Sequence, residues 1–318
     1  MTSNPSRRLT VSLLLFCIAT LAIAGQGHGS VVGAQSVPSS PGGYYQANHD
    51  DETSSSSSSC QDPLLVRGGD SAFESKISDF LSQKDVSMEK FHVHGWRWHT
   101  MSLVREAGRL KKLAQRSSSK DGCRPIKQAV DYVVGFNMKG LHKIEADLFF
   151  PWMRKKLTSV DQKDLAQAFG SVMDQLERDR KRVAKLGESI QQQVSLLCDE
   201  SKALTLRADA VISIARDAAE LETVARTMME TENTLLVPSV AEVVPEGEQK
   251  SFNNKVLRNL GILDSRLHLV GMHEAVWESN ITKEKEMFKK AIPSIPQGLI
   301  PRWKRNLYIP KTNVLDDV

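Results

Sequence analysis

Two glutamates are the first candidates for chemistry, because each follows the apolar stripe of a predicted helix in the same local context. Glu145 begins the segment EADLFFP and Glu232 begins ENTLLVP, so both fit the pattern E-x-x-L-x-x-P. Each lies one helical turn after an apolar residue, Leu141 or Met228. An ionised carboxylate on such a stripe is costly unless it is paired, hydrogen-bonded or bound to a metal. The repeat predicts an internally duplicated helical structure with an interior acidic site; the alternative is that both glutamates reach water at an open end.

Histidines that could join these carboxylates lie on two predicted helices. His142 comes three residues before Glu145 and therefore shares a helix face with it, and His99 lies on the preceding helix. Imidazole and carboxylate ligands together suit iron, manganese or zinc. The predicted metal site consists of Glu145, Glu232, His99 and His142. In the C-terminal segment, His268 and the pair His273-Glu274 could reach a bundle end and supply further ligands.

At these residues the chain resembles the hemerythrin-like (HHE cation-binding) family. The similarity covers roughly residues 86–244, and its clearest fragments are HTMSLVREAGRL from His99, LHKIEADLFFPWM from Leu141 and METENTLLVP from Met229. The resemblance implies an up-down four-helix bundle. It also implies two helices that each carry a His and a Glu four residues later, and two helices that each add a His. In that family these ligands hold two irons, which bind oxygen or sense iron and redox state.

The chain departs from the family at the histidines. The glutamate positions match Glu145 and Glu232, whereas the histidine positions fall on Leu141 and Met228, which cannot ligate iron in the expected way. Two functions therefore remain open. One is a depleted or displaced site for iron, di-iron or mononuclear, with metal or oxygen as the ligand. The other is a metal-free structural or protein-interaction bundle. We do not predict an enzyme, because no base, nucleophile and substrate pocket can be named.

The elements that must position these residues are helices, because apolar residues recur at spacings of three, four or seven. Four long helices with short connections favour an all-α, up-down bundle. The predicted long helices cover residues 86–116, residues 125–157, a stretch from just after Ser159 or Asp161 to Leu197, and residues 202–237. Shorter helices are predicted over residues 72–81, 252–260 and 267–277, followed by a tail interrupted by prolines.

The N-terminal residues predict targeting to the secretory pathway. Arg7 and Arg8 precede an apolar run over residues 13–24 that ends in small residues, as in a signal peptide at residues 1–24. The run is shorter than the ~20 residues that a membrane span needs. An uncleaved anchor and a bipartite organelle signal are the alternatives. Residues 25–69 form a Ser/Gly-rich linker, residues 70–245 the bundle, and residues 246–318 an extension expected to pack on it.

Composition restricts the partners. The chain has 42 Lys+Arg and 38 Asp+Glu, a formal charge of +4, which does not suggest a nucleic-acid partner. The basic-aromatic stretch at residues 302–305 could rest on an anionic membrane surface. A protein partner is not identified.

Cysteines and one sequon bear on the compartment. The mature chain keeps Cys60, Cys123 and Cys198, and of three possible pairings we first expect Cys123 with Cys198, at the ends of two predicted helices. Asn280 begins a glycosylation sequon, usable if that segment is luminal and exposed.

Overall fold

The described part of the protein, residues 71–118 and 123–316 of a computed structural model, consists of helices and their connections, without a strand. The prediction of an all-α protein is confirmed for these residues. The predicted signal peptide, the predicted linker and Cys60 lie outside the described residues.

Nine helices are labelled α1 to α9 within the described residues. The first five are α1 (Ser71–Ser82), α2 (His94–Arg116), α3 (Arg124–Tyr132, Val133–Met138, Lys139–Ile144, Glu145–Phe149 and Phe150–Leu157, running on without a break), α4 (Lys163–Cys198) and α5 (Leu204–Thr231, Glu232–Leu236 and Val237–Val243). The others are α6 (Glu246–Leu260), α7 (Ile262–Glu278), α8 (Thr282–Ala291) and α9 (Ser294–Trp303, Lys304–Tyr308 and Ile309–Thr312). Within these, π-helical turns occupy Val133–Met138, Glu145–Phe149, Glu232–Leu236 and Lys304–Tyr308.

The first long helix starts later than its apolar pattern predicts. We expected it from residue 86, but the chain there forms a short 3₁₀ turn, Met88–Lys90, whose N-cap Ser87 accepts a hydrogen bond from the Glu89 N–H. Phe91 and Val93 are buried and hold this segment against the core. These two residues fit the apolar spacing of the helix although they lie before its first residue.

Prolines do not end the helices in which they lie. In α3 the N–H of Phe150 bonds to the carbonyl of Glu145, five residues back, and Pro151 follows. A proline lacks an N–H and its ring clashes with the carbonyl four residues earlier. Widening the preceding turn to a π-helical one moves that carbonyl aside, so the helix can continue.

The same arrangement recurs at two more prolines. The N–H before Pro238 bonds to Glu232 and the N–H before Pro310 bonds to Lys304. The prediction that α5 ends near Pro238 is therefore wrong, since it continues to Val243. The C-terminal residues predicted as a proline-interrupted tail are also largely helical, in α8 and α9.

Neighbouring long helices run in opposite directions. The expected pairing of Cys123 with Cys198 is confirmed, and this disulfide joins the start of α3 to the end of α4 with a Cα–Cα distance of 5.1 Å. At the other end of the same pair, Arg154 lies 2.9 Å from Glu177. The pair α4 and α5 is joined between Arg182 and Glu220.

Helix α2 touches α3, α5 and the C-terminal helices. Its residue Lys111 pairs with Glu222 of α5 at 2.7 Å. On another side, Arg97 of α2 pairs with Glu284 of α8 at 2.6 Å, and Glu106 accepts a hydrogen bond from Tyr308 of α9 at 2.6 Å. Among the residues described, no helix has the length and apolar character needed to cross a membrane.

Candidate functional site

The two glutamates of the sequence repeat both lie in the protein interior. Glu145 is 2% exposed and Glu232 is 1% exposed. Each is the first residue of a π-helical turn that precedes a proline. The apolar residues one turn earlier, Leu141 and Met228, are buried as well. The alternative of two glutamates reaching water at an open end is therefore wrong.

Glu145 has one hydrogen-bond donor from the first turn of α2. Trp96 Nε1 donates to Glu145 Oε1 at 3.2 Å, and the indole of Trp96 packs on Phe149 with ring centroids 3.9 Å apart. Burial raises the pKa of Glu145 to about 7, although the Trp96 hydrogen bond and the charge of Arg180 act in the opposite direction.

Glu232 is less well satisfied. The hydroxyl of Thr100, one turn after Trp96, donates to Glu232 Oε2 at 3.4 Å, and Oε1 has no hydrogen-bond partner among the described residues. Burial, and after it the charge of Glu145, raises the pKa of Glu232 well above its ordinary value. The charge of Glu145 thus acts on Glu232, and burial favours the protonated form of both carboxyl groups.

A small pocket lies beside Glu145. Its volume is about 10 Å³, room for about one water-sized sphere. Its lining includes Thr100, Leu141, Met228, His142 and Arg180. Leu141 and Met228 therefore occupy the space where the resemblance places imidazoles.

His142 faces a cation across this pocket. Its Nε2 lies 3.3 Å from Nη1 of Arg180, a residue of α4. Partial burial and the charge of Arg180 lower the pKa of His142. A guanidinium next to an imidazole and a carboxylate competes with a metal cation, because both bind to the lone pairs of the same nitrogen and oxygen atoms.

His99 of α2 does not contact the carboxylates. Adjacent helical residues point ~100° apart, so Thr100 faces Glu232 while His99 does not. The His99 ring lies 3.0 Å, Nε2 to Oδ1, from Asn137 in the first π-helical turn of α3, and Asn137 Nδ2 donates to Ser102. Burial lowers the pKa of His99 to about 4, which keeps the imidazole neutral.

His268 of α7 completes this second cluster. Its ring lies 4.4 Å from the His99 ring, centroid to centroid, and stacks on Phe136 at 4.2 Å. A Cβ on Gly140 would lie 2.4 Å from the His268 ring, so this close approach requires glycine. His268 does reach the interior from the C-terminal segment, but it meets His99 and not the carboxylates.

The four predicted ligands are thus divided between two places. Glu145 and Glu232 are both buried, and the charge of Glu145 acts on Glu232. His142 lines the pocket beside Glu145, whereas His99 contacts Asn137. In residues 71–118 and 123–316, no three His, Cys, Asp or Glu side chains are grouped so that they could hold a metal ion. This donor set does not fit the paired His and Glu ligands of a di-iron centre.

Sequence reasoning missed the partners of the carboxylates. Trp96 and Thr100 are one turn apart on α2. This spacing indicates that they share a helix face, but it does not show which other helix packs on that face. Arg180 lies within a charged stretch, residues 174–182, in which the sequence offers carboxylates but no imidazole. Asn137 gave no signal, because its position depends on the π-helical turn around it.

Comparisons of the chain with protein-family models, with curated proteins and with solved structures return no match.

Proposed function

We propose that this chain is a secretory-pathway protein of hemerythrin-like ancestry whose helical bundle holds a proton, and no metal, between Glu145 and Glu232, and that it serves as a structural or protein-interaction module. The observation that carries the proposal is the burial of this carboxylate pair next to Leu141 and Met228. Two apolar side chains stand where the ancestral imidazoles would be, and a shared proton removes the charge that a metal would otherwise balance.

We infer that α2, α3, α4 and α5 form an up-down four-helix bundle. The antiparallel contacts of α3 with α4, α4 with α5, and α5 with α2 support this arrangement. Contact between Trp96, at the start of α2, and Glu145, near the end of α3, supplies the remaining pair. The recurrence of a π-helical turn at Glu145 and at Glu232 supports an internal duplication, since the same local geometry accompanies the same sequence pattern.

Exposed apolar residues favour an interaction module over a purely structural one. Leu196 near the end of α4 and Leu204, Leu206 and Ile212 in the first turns of α5 are 40%, 51%, 53% and 67% exposed. Such a group of large apolar side chains at one helical connection is typical of a surface that meets a partner.

Metal analysis tests the proposal directly. The purified full chain would be loaded with ferrous iron without oxygen, desalted and analysed for bound metal, alongside Glu145→Gln/Glu232→Gln and Leu141→His/Met228→His. We expect no stoichiometric metal in the wild type or in the glutamine variant. The histidine variant restores a His four residues before each Glu and is expected to gain metal binding.

A wild-type protein that retains one or more metal ions per chain, lost in the glutamine variant, would contradict the proposal and favour the iron-binding alternative. Circular dichroism of all three proteins controls for folding. Gain of metal by the histidine variant also shows that the loading conditions can detect a site in this scaffold.

A further inference from the structure

The sequon at Asn280 lies in the short connection between α7, which ends at Glu278, and α8, which begins at Thr282. Asn280, Ile281 and Thr282 are all exposed. Asn280 has a φ of 57°, in the left-handed region that asparagine adopts more readily than most residues. Both residues that define the sequon are therefore presented to solvent in one tight turn.

The turn is held by contacts that do not depend on the asparagine amide nitrogen. The Ser279 hydroxyl donates to the carbonyl of Val276 at 2.8 Å and accepts from the Ile281 N–H at 3.3 Å. Asn280 Oδ1 accepts a hydrogen bond from Lys285 at 3.3 Å, on the exposed surface. A sugar on Asn280 Nδ2 would break none of these contacts.

The compartment is supported by an independent feature. The disulfide between Cys123 and Cys198 joins residues 75 positions apart, and disulfides of this kind persist in oxidising compartments such as the lumen of the secretory pathway. In the whole sequence Asn280 is the one asparagine followed by a residue other than proline and then by Ser or Thr.

We propose that Asn280 carries an N-linked glycan. In the transfer, a bond forms between Asn280 Nδ2 and C1 of the first sugar of a lipid diphosphate-linked oligosaccharide. The bond from C1 to the diphosphate oxygen breaks, the lipid diphosphate leaves with that electron pair, and the amide gives up one proton. The inference rests on the proposed targeting to the secretory pathway.

A glycan here would shape the interaction surface. It would lie over Ile281, which is 51% exposed, and would keep the α7–α8 connection in solvent. A protein partner would then dock elsewhere, and the exposed apolar residues at the α4–α5 connection are one surface that the glycan leaves available.

The test is expression of the full chain in a eukaryotic secretory host, followed by electrophoresis with and without an endoglycosidase that removes N-linked glycans. We expect one enzyme-sensitive species in the wild type, retained in Thr282→Ser and absent in Asn280→Asp and Thr282→Ala. Aspartate tolerates the left-handed conformation, so Asn280→Asp removes the acceptor without straining the turn. Asn253→Gln, on α6 and outside any sequon, is the matched control and keeps the glycan.

Peptide mapping of the same samples, alkylated at lysis, reports whether Cys123 and Cys198 are joined. An unglycosylated wild-type chain with the disulfide formed would overturn the glycan proposal alone. An unglycosylated chain with both thiols free would overturn the glycan and the secretory location together. Neither outcome bears on the carboxylate pair, which the metal analysis tests separately.

Discussion

Helix α2 contacts two regions with buried carboxyl groups, and the cost of burying the negative charge is reduced differently in each. Glu106 is fully buried, and its oxygens accept hydrogen bonds from Arg105, from Arg109 and from the hydroxyl of Tyr308. Six residues earlier on the helix, about 9 Å away, Thr100 donates to Glu232. Within the described ranges, no cation and no second donor bonds to this carboxyl group. Equal burial thus goes with an ion network in one place and with raised carboxyl pKa values in the other, because the neighbours differ.

The Glu106 network also holds the C-terminus in place. Arg109 donates to the backbone carbonyl of Leu315 at 3.3 Å and pairs with Asp316, while Arg105 pairs with Glu278 of α7. Burial and the charge of Glu106 raise the pKa of Tyr308 and so keep its hydroxyl a donor. This region joins α2 to α7 and α9, whereas Glu145 of α3 and Glu232 of α5 each accept a hydrogen bond from α2.

The largest expected effect is the loss of the Glu106 charge. Glu106→Gln leaves two guanidinium groups without their shared buried partner, and breaking such a pair costs about 3–5 kcal/mol of unfolding free energy. Asp316 and Glu278 still contact the arginines, so we expect the lower end of that range. Urea unfolding at neutral pH measures it.

The matched control for Glu106→Gln is Glu177→Gln. The Glu177 side chain is 34% exposed and pairs with Arg154 on the surface. An exposed pair of this kind contributes less than about 1 kcal/mol. Equal destabilisation by both variants would show that the Glu106 network is no stronger than a surface ion pair, and the contrast between the two buried regions would fail.

The second prediction concerns the pH dependence of the carboxylate pair. The folded-state pKa of Glu145 lies above its unfolded value, so its contribution to stability is fully present below the unfolded pKa and is lost as pH rises through about 7. At about 1.4 kcal/mol per pKa unit, the loss for Glu145 is about 3 kcal/mol. The raised pKa of Glu232 has the same sign and extends the loss to higher pH.

Histidines oppose this trend, so the measurement must be a difference. Burial lowers the pKa values of His99 and His268, and their contribution to stability is present above the unfolded histidine pKa and lost as pH falls. We therefore compare the wild type with Glu145→Gln/Glu232→Gln, in which the histidines are unchanged. The variant should gain about 3 kcal/mol relative to the wild type between about pH 5 and pH 8 from the loss of Glu145, and a further amount from the loss of Glu232. A constant difference across that range would mean that the pair does not titrate in the folded state.

Sequence patterns were enough to predict most of the helices and to offer burial as one of two possibilities for a pair of glutamates. The apolar spacing of α3, α4 and α5 placed Glu145 and Glu232 on inward stripes, and both are inside. The same patterns could not show that each helix forms a wider, π-helical turn at the glutamate. That turn relieves the clash between a proline ring and the carbonyl four residues earlier. We expected Pro238 to end a helix that in fact continues to Val243.

Contacts between side chains of different helices were harder to predict, because apolar periodicity identifies the buried face of a helix but not the helix that packs on it. His99 and Thr100 are adjacent in sequence, yet one meets Asn137 and the other meets Glu232. His268 is distant in sequence, and only the packing of α7 on α2 brings it to His99. Glu106 gave no signal, because the donor Tyr308 belongs to a segment predicted as an irregular tail.

The smallest expected effect tests whether the stability contributed by Thr100 of α2 depends on the ionisation of Glu232. Thr100→Val keeps the side-chain shape and removes the hydroxyl that donates to Glu232, a hydrogen bond that lowers the pKa of this carboxyl. The loss of one such bond costs about 1 kcal/mol when the acceptor is ionised, and less when it is protonated and neutral. The variant should therefore be more destabilised at a pH above the raised pKa of Glu232 than at about pH 5.

Ser102→Ala is the control for this last measurement, since Ser102 lies on the other face of α2 and accepts a hydrogen bond from Asn137. No carboxylate is its partner in that contact, so its cost should be similar at both pH values. If Thr100→Val and Ser102→Ala respond to pH alike, Thr100 does not respond to the protonation of Glu232. The contrast between a paired and a protonated acidic region on one helix would then depend on Glu106 alone.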